Sequence, residues 1–427
     1  MAKPAGLEND VDENKTKVVI VGAGFGGLTA AIECHRRGLD VEIYEAFPEL
    51  KVLGDIISFG PNAGRIFHRW SDGEIAVRLK KECIDLSSYG FRIHKFDTGE
   101  VVAQQPASQS QKDAPVLNGH RGELHEIVFN YAKDQLGIPI HLGQKVVEYF
   151  ETEDDAGIIL GNGDKVICDC VIGADGVRSK ARELVLGYED KPKSSGYAIW
   201  RAWFPSDKLA EDPRTSEFCV NGDTFNGWIG PDAHFLFSTL KGGKCCSWVL
   251  THKDTYDIEE SWSFPGRIDD VLQMLADWDP MCSAIVEKTP AVVDWKLVYR
   301  EPLPRWVSSG GRIALIGDAA HPFLPTSVQG ASQAMEDGVT IALCVEKAEK
   351  GQIPEALRTF QEIRYERVKA VQKTGESTRE RWHKADWTKA KQDPDSIKLP
   401  REDWILQFDA ERHASEALEE IFRTSSA

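Results

Sequence analysis

KVVIVGAGFGGLTAAIECHRRGLDVEIYE, residues 17–45, sets the architecture of the chain. Lys17–Val21 is a short apolar strand, Gly22–Gly27 a turn, Leu28–Arg37 a helix ended by Gly38, and Val41–Glu45 a second strand. Strand, crossover helix and strand make a βαβ unit, which builds a parallel sheet. Gly22, Gly24 and Gly27 fit G-x-G-x-x-G. The first permits the tight turn, the second lets backbone approach a pyrophosphate, and the third lets helix and strand pack closely. Glu45 ends the second strand, 18 residues beyond Gly27, where a carboxylate accepts hydrogen bonds from ribose hydroxyls. Alone, a Gly-rich turn is weak evidence and a strand-end Glu is an ordinary surface acid. Strand, turn, helix and acid together make nucleotide binding the better reading.

Two further turns continue the theme. Residues 311–337 read GRIALIGDAAHPFLPTSVQGASQAMED. An apolar strand over Arg312–Ile316 runs into Gly317-Asp318, and a loop with His321, Pro322 and Pro325 follows. Gly330 and Ala331 then open a helix that carries Glu336 and Asp337. A strand-end carboxylate suits a ligand hydroxyl, and a helix N-terminus suits an anionic ligand atom. Residues 171–179, VIGADGVRS, put Asp175-Gly176 after another apolar strand. By itself that dipeptide is only a turn.

Composition bounds the rest. At 427 residues two or three structural units are expected. Hydrophobic content of 41% and charged content of 28% are ordinary for a soluble globular protein. A net charge of −17 argues against nucleic acid and anionic membrane as partners. No apolar run has the length to span a bilayer or serve as a signal peptide, so a soluble, cytoplasmic protein is expected. The nine cysteines lack zinc or redox spacing and read as reduced, buried thiols. No HExxH or clustered His points to a metal.

The expected organisation is a polar tail over 1–16 and a discontinuous dinucleotide-binding unit over 17–90, 116–190 and 295–352. A sheet-based substrate unit takes 91–115 and 191–294, where Trp, Phe and Tyr are dense, and helices follow over 353–427. Within this frame 103–115 reads as an exposed loop, Glu123–Leu136 as an amphipathic helix, and the parallel-type pattern returns over Trp295–Ile316.

GxGxxG near the start, GADGVRS in the middle and GDAAHPF late, in that order, resemble the class A FAD-dependent aromatic monooxygenases of the salicylate-hydroxylase-like group. Three more pieces agree. Gly119–Leu124, GHRGEL, resembles the family's HRxxL element; Gly54–Ala63, GDIISFGPNA, its GAGIxxxPNA loop; and Trp404–Ala410, WILQFDA, its C-terminal signature. The GDIISFGPNA loop is also similar to that of fungal indole-alkaloid monooxygenases. The resemblance runs from about Lys17 to Ala410. It implies an α/β fold: a Rossmann-like FAD-binding domain with an inserted β-sheet substrate domain and a C-terminal helical segment.

It also implies roles. Gly22, Gly24, Gly27 and Glu45 would bind the ADP half of FAD, and Arg121 would lie against the cofactor. Asp175 would sit beside the pyrophosphate, and Asp318 on the ribityl or pyrophosphate side. Pro322 would pack near the isoalloxazine, and the Gly330 and Ala331 amides would face the flavin N1/C2=O edge. His321 reads as structural rather than as a base. NADPH or NADH would reduce the flavin, and O2 would yield a C4a-hydroperoxide that gives one oxygen to an electron-rich aromatic.

Two departures stand out. Where the family reads GQGA this chain has Val328-Gln329-Gly330-Ala331, and a β-branched residue resists positive φ, so a different loop entry is expected. Asp55 stands where a neutral Ala is usual, as either a catalytic acid or a loop acid paired with an Arg. Arg201 resembles the strand Arg of the family's substrate pocket, against the simpler reading of an edge-strand ion pair. Trp200, Trp203, Phe225 and Trp228 are candidates for an aromatic pocket, against ordinary core. The expected small-molecule substrate is a bulky, even cationic, indole of the spiro-oxindole type, oxidised at the 2,3-bond. A phenol or aromatic acid clamped by Arg201 is the alternative. A non-catalytic binding protein of the same fold is a distant one. The oligomeric state stays open.

Overall fold

The computed structural model describes residues 15–50, 55–106, 112–191, 193–254, 264–300, 303–399 and 402–425. Five strands form a parallel sheet in the order Ile313–Leu315, Cys170–Gly173, Lys17–Val21, Asp40–Glu45, Ile140–Leu142. Val18, Val19 and Ile20 are fully buried, because helices or loops cover both faces of a parallel sheet. Helix α1, Phe25–Arg36, starts three residues earlier than the sequence pattern indicates. Helix α2, Arg121–Asn130, begins at the capping residue His120 and ends in a wider turn over Tyr131–Gln135. Helix α3, Gly330–Glu346, crosses α1 closely; a Cβ on Gly338 would lie 2.7 Å from the Ala30 amide nitrogen.

The second unit is an eight-stranded sheet. Its order is Phe264–Pro265, Val293–Tyr299, Lys193–Pro205, Cys245–Lys253, Ala233–Leu240, Thr224–Gly230, Phe91–Lys95, Val101–Gln105. Strand Val293–Tyr299 corrects the sequence reading. It pairs antiparallel with Lys193–Pro205 (Ile199 opposite Trp295), so the parallel pattern resumes only at Ile313. Asp294 and Lys296 alternate with Val293, Trp295 and Leu297, and that alternation, unlike the continuous apolar run of a parallel strand, was the available signal. Strand Val101–Gln105 likewise extends into the segment read as a loop, and 107–111 lie outside the described residues.

Alternation gives this sheet two faces. Trp200, Phe204, Trp228, Phe235, Phe237 and Trp248 bury one face in a core shared with helices Ile268–Met274 and Pro280–Val286. The other face carries Arg201, Trp203, Val249 and Leu236, set by the pairings Arg201–Val249 and Val249–Leu236. A two-stranded ribbon, Ile56–Phe59 with Leu117–His120, lies between the units. Helix α4, Ile353–His383, joins them. Over 31 residues it runs about 46 Å at 1.5 Å per residue. Its first half packs on α3, and its last turn buries Trp382 against the second sheet, where His383 meets His234 at 2.9 Å. Among the described residues no helix is long and apolar enough to cross a membrane. All nine cysteines are free thiols.

Candidate active site

The Gly-rich turn works as its spacing requires. Gly22 has φ +104°, and a Cβ there would lie 2.3 Å from the Ala174 carbonyl oxygen. At Gly27 a Cβ would lie 2.0 Å from the Gly22 carbonyl oxygen. Both therefore need to be glycine for the fold itself. Gly24 differs: a Cβ there meets nothing within 4 Å, so its missing side chain leaves a space open to a ligand. Glu45 accepts from the Ala23 amide at 2.8 Å and the Phe47 amide at 2.9 Å, which fixes the carboxylate beside that space. His125, one turn along α2 from Arg121, bonds the Ala23 carbonyl at 2.6 Å and holds the loop from the other side.

The three separated turns meet. Gly22 touches Ala174, and the Ala174 amide bonds the Val21 carbonyl at 2.8 Å. Arg182 then ties the second turn to the third: it donates to the carbonyls of Val177 (2.8 Å), Asp318 (2.9 Å) and Ala319 (3.0 Å). Ala334 of α3 packs under both Gly26 and Gly317. Asp175 accepts at one oxygen from the Tyr149 hydroxyl (2.8 Å) and the Lys180 amide (2.9 Å). Its other oxygen, Oδ1, is buried with no partner among the described residues. A buried orphan acceptor requires a donor from elsewhere. Burial raises the Asp318 carboxyl, opposed by the charges of His321, Arg121 and Arg182. An open backbone at Gly24, a fixed acid at Glu45, the orphan oxygen of Asp175 and Arg121 beside Asp318 together fit a dinucleotide such as FAD.

At the start of α3, Gly330 and Ala331 are half-buried, and Gln329 is the capping residue. Val328 overturns the expectation that a β-branched residue avoids the left-handed region: it sits at φ +56°. The Pro322 carbonyl accepts from Gln372 of α4 at 3.0 Å. Beneath lies a buried charge network that sequence reasoning missed. Arg364 donates to Glu336 (2.6 Å) and Asp337 (2.8 Å), all three with 1% exposure or less, and Arg367 donates to both oxygens of Glu336. Asn62 of the PNA loop also reaches Glu336, at 2.7 Å. His321, fully buried, bonds Asp337 at 2.6 Å. The charge pairs at 336–337 and at 364 and 367 were the available signal, but such spacing also describes a solvated helix face.

Asp55 and Arg201 form an ion pair with each other. Their side chains are 18% and 8% exposed. The Asp55 carbonyl accepts from the Arg121 amide at 2.9 Å, so Asp55 is anchored to the start of α2. The Arg201 guanidinium also lies 5.2 Å from the Trp295 ring centre. Trp203, two residues along the same face, packs against the His120 ring with centroids 4.4 Å apart and the planes tilted by 54°. Of the four aromatic candidates, Trp203 and Phe225 share the Arg201 face, whereas Trp200 and Trp228 point into the opposite core. Gly54 lies outside the described residues.

Comparisons with known proteins agree with this geometry. Residues 123–374 match the FAD binding domain family, and residues 20–50 the NAD(P)-binding Rossmann-like domain family. The chain is 36% identical to the asperlicin C monooxygenase of Petromyces alliaceus over 409 residues, covering 93% of this chain and 87% of that protein. It is also 36% identical to an FAD-dependent monooxygenase, nanF, of Aspergillus nanangensis, covering 97% and 91%. The crystal structure of CtdE with FAD and a substrate superimposes with a TM-score of 0.89 at 34% identity, covering 97% of this chain and all of that one. A salicylate hydroxylase substrate complex shares the fold at 24% identity and a TM-score of 0.78, covering 95% and 98%. The chain belongs to the class A FAD-dependent monooxygenases, alongside these fungal enzymes.

Proposed function

We propose that this enzyme uses NAD(P)H and O2 to insert one oxygen atom into a neutral, electron-rich aromatic, with oxidation of an indole 2,3-bond in a secondary-metabolite alkaloid as the reaction. The balance is substrate, O2, NAD(P)H and a proton giving oxygenated product, water and NAD(P)+. Bound FAD supplies the oxygen activation, and the chain positions the reactants and excludes water.

One observation carries the choice of substrate. Arg201 is already matched inside the chain by Asp55. A guanidinium held by a carboxylate has little to offer a substrate carboxylate, which weighs against an aromatic acid. The same pairing removes the reason to expect a cationic substrate, because Asp55 is matched as well. An ion-paired carboxylate has no proton to give, so Asp55 serves best by holding Arg201. Held together, the two side chains make a polar wall without net charge, which suits an uncharged aromatic. Trp203, Phe225 and Trp295 supply aromatic surface on the same face. Among the similar proteins, one is named for oxidation of asperlicin C, and another was crystallised with FAD and its substrate.

The test is substrate-stimulated NAD(P)H consumption by the FAD-loaded enzyme across salicylates, phenols and indoles, with product identified. Indoles that stimulate and gain one oxygen support the reading. Stimulation by salicylates alone would replace it with the aromatic-acid hydroxylase. Purified protein that stays colourless with added FAD would replace it with a binding protein.

A further inference from the structure

We propose that His120 donates a hydrogen bond from Nε2–H to an acceptor atom on the substrate, so that the pocket selects aromatics bearing a carbonyl or equivalent acceptor beside the ring. This rests on the neutral-aromatic reading of the pocket and goes beyond it in naming a second recognition element.

The position follows from the ribbon and helix. His120 ends strand Leu117–His120 and caps α2, where its Nδ1 accepts from the Glu123 amide at 3.2 Å. An Nδ1 that accepts carries no proton, so in the neutral ring the proton is on Nε2. Burial favours the neutral ring and outweighs the charges of Glu123 and Asp55. The ring packs on Trp203 at 4.4 Å, and its next neighbour along the chain, Arg121, bonds the Asp55 carbonyl. His120 thus stands against Trp203 and next in the chain to the residue that anchors Asp55. Only 4% of the residue is exposed; its ring bonds through Nδ1, and Nε2 is not among the fully buried atoms left without a partner, so this donor stays open to water or a ligand. A ligand that displaces water from such a donor loses affinity unless it brings an acceptor of its own. A neutral donor suits a carbonyl, and an ammonium group cannot satisfy it.

Indole and oxindole are suitable probes, since they share the bicycle and the ring N–H and differ by one carbonyl. Their affinities for the FAD-loaded enzyme would be measured calorimetrically, in wild type, His120→Phe and His120→Ser. Phe keeps a ring against Trp203 but loses the donor and the cap. Ser keeps the cap, in a Ser-x-x-Glu arrangement with Glu123, but loses the donor. The expected result is oxindole about fivefold tighter than indole in wild type, the scale of one neutral hydrogen bond, and a ratio near one in both variants. If the Phe variant does not fold, the Ser variant decides. A wild-type ratio near one, or a ratio that survives in the Ser variant, overturns the role of His120 while leaving indole oxygenation standing. Wild type that neither binds these probes nor oxygenates indoles overturns both readings together.

Discussion

Asp55, at the head of the ribbon in the FAD-binding unit, and Arg201, mid-strand in the eight-stranded sheet, neutralise each other across the junction of the two units. Two residues that each invited a separate chemical role are therefore one device. Breaking it from either side should show in coupling. In Asp55→Asn, the product formed per NAD(P)H consumed is expected to fall at least about tenfold, with peroxide making up the difference, because one hydrogen-bonded charge contact is worth about that factor. Arg201→Met leaves Asp55 mostly buried and unpaired, and should cost about 1–3 kcal/mol in urea unfolding. The double variant should be more stable than the sum of the single losses predicts, by about 0.5–3 kcal/mol. Additive losses and unchanged coupling would remove the pair from both stability and mechanism.

The three glycines of the first turn separate fold from cofactor. Ala at Gly22 meets the Ala174 carbonyl and an unfavourable φ, and Ala at Gly27 meets the Gly22 carbonyl. Each should destabilise the FAD-free protein by more than about 2 kcal/mol. Ala at Gly24 meets no protein atom within 4 Å, and φ there is −72°. Its melting temperature without FAD should stay within a degree or two of wild type, while FAD affinity, read by flavin fluorescence, falls at least about tenfold. A Gly24→Ala protein that binds FAD normally would show that the cofactor does not approach this backbone.

Val328 holds a left-handed conformation at 40% exposure, so little packing is lost on replacing it. The strain of a β-branched residue there is about 1–2 kcal/mol, and the added freedom of a glycine in the unfolded chain takes back about half. Val328→Gly should raise the urea midpoint by an amount equivalent to about 0.5–1 kcal/mol. A lower midpoint would mean that the Val328 side chain contributes contacts that outweigh its backbone strain.

What could be read from sequence was local. Gly22 to Glu45 announce their turn because every part lies within one βαβ unit. The order of the three turns carried the family. Partnership was not legible: Asp55 and Arg201 are 146 residues apart, and no pattern in either segment names the other. Sheet membership was legible only in part: Asp294 and Lys296 alternate with apolar residues in Val293–Tyr299 as in an antiparallel strand, but the run is short and its neighbour Lys193–Pro205 lies about a hundred residues earlier. The parity of Trp200 and Trp203 was available, but which parity faces the cofactor depends on where the ribbon docks. At Val328 a sound local rule failed because the surrounding loop, pinned by α4 through the Thr326 hydroxyl to the Gly375 carbonyl at 2.7 Å, fixes the backbone against the residue's preference.

The buried network under α3 makes a prediction about pH. Burial pushes the Glu336 carboxyl up, but the charges of Arg364 and Arg367 outweigh it and hold Glu336 below its usual range; His321 and Arg364 do the same for Asp337. A carboxyl lowered in the folded state adds stability that is full above its unfolded value, about 4, and is lost as pH falls through the folded value. Wild-type stability should therefore owe nothing variable to these groups between pH 5 and 7.5. In Arg364→Met the shared cation is gone while the burial remains, so both carboxyls should move upward. The sign then reverses: a raised carboxyl costs stability progressively as pH rises from about 4. The variant should lose about 3–5 kcal/mol at pH 7.5 and distinctly less at pH 5. Urea unfolding of both proteins across that range reads the difference, and parallel stability curves would mean that Arg364 does not set the charge state of Glu336 and Asp337.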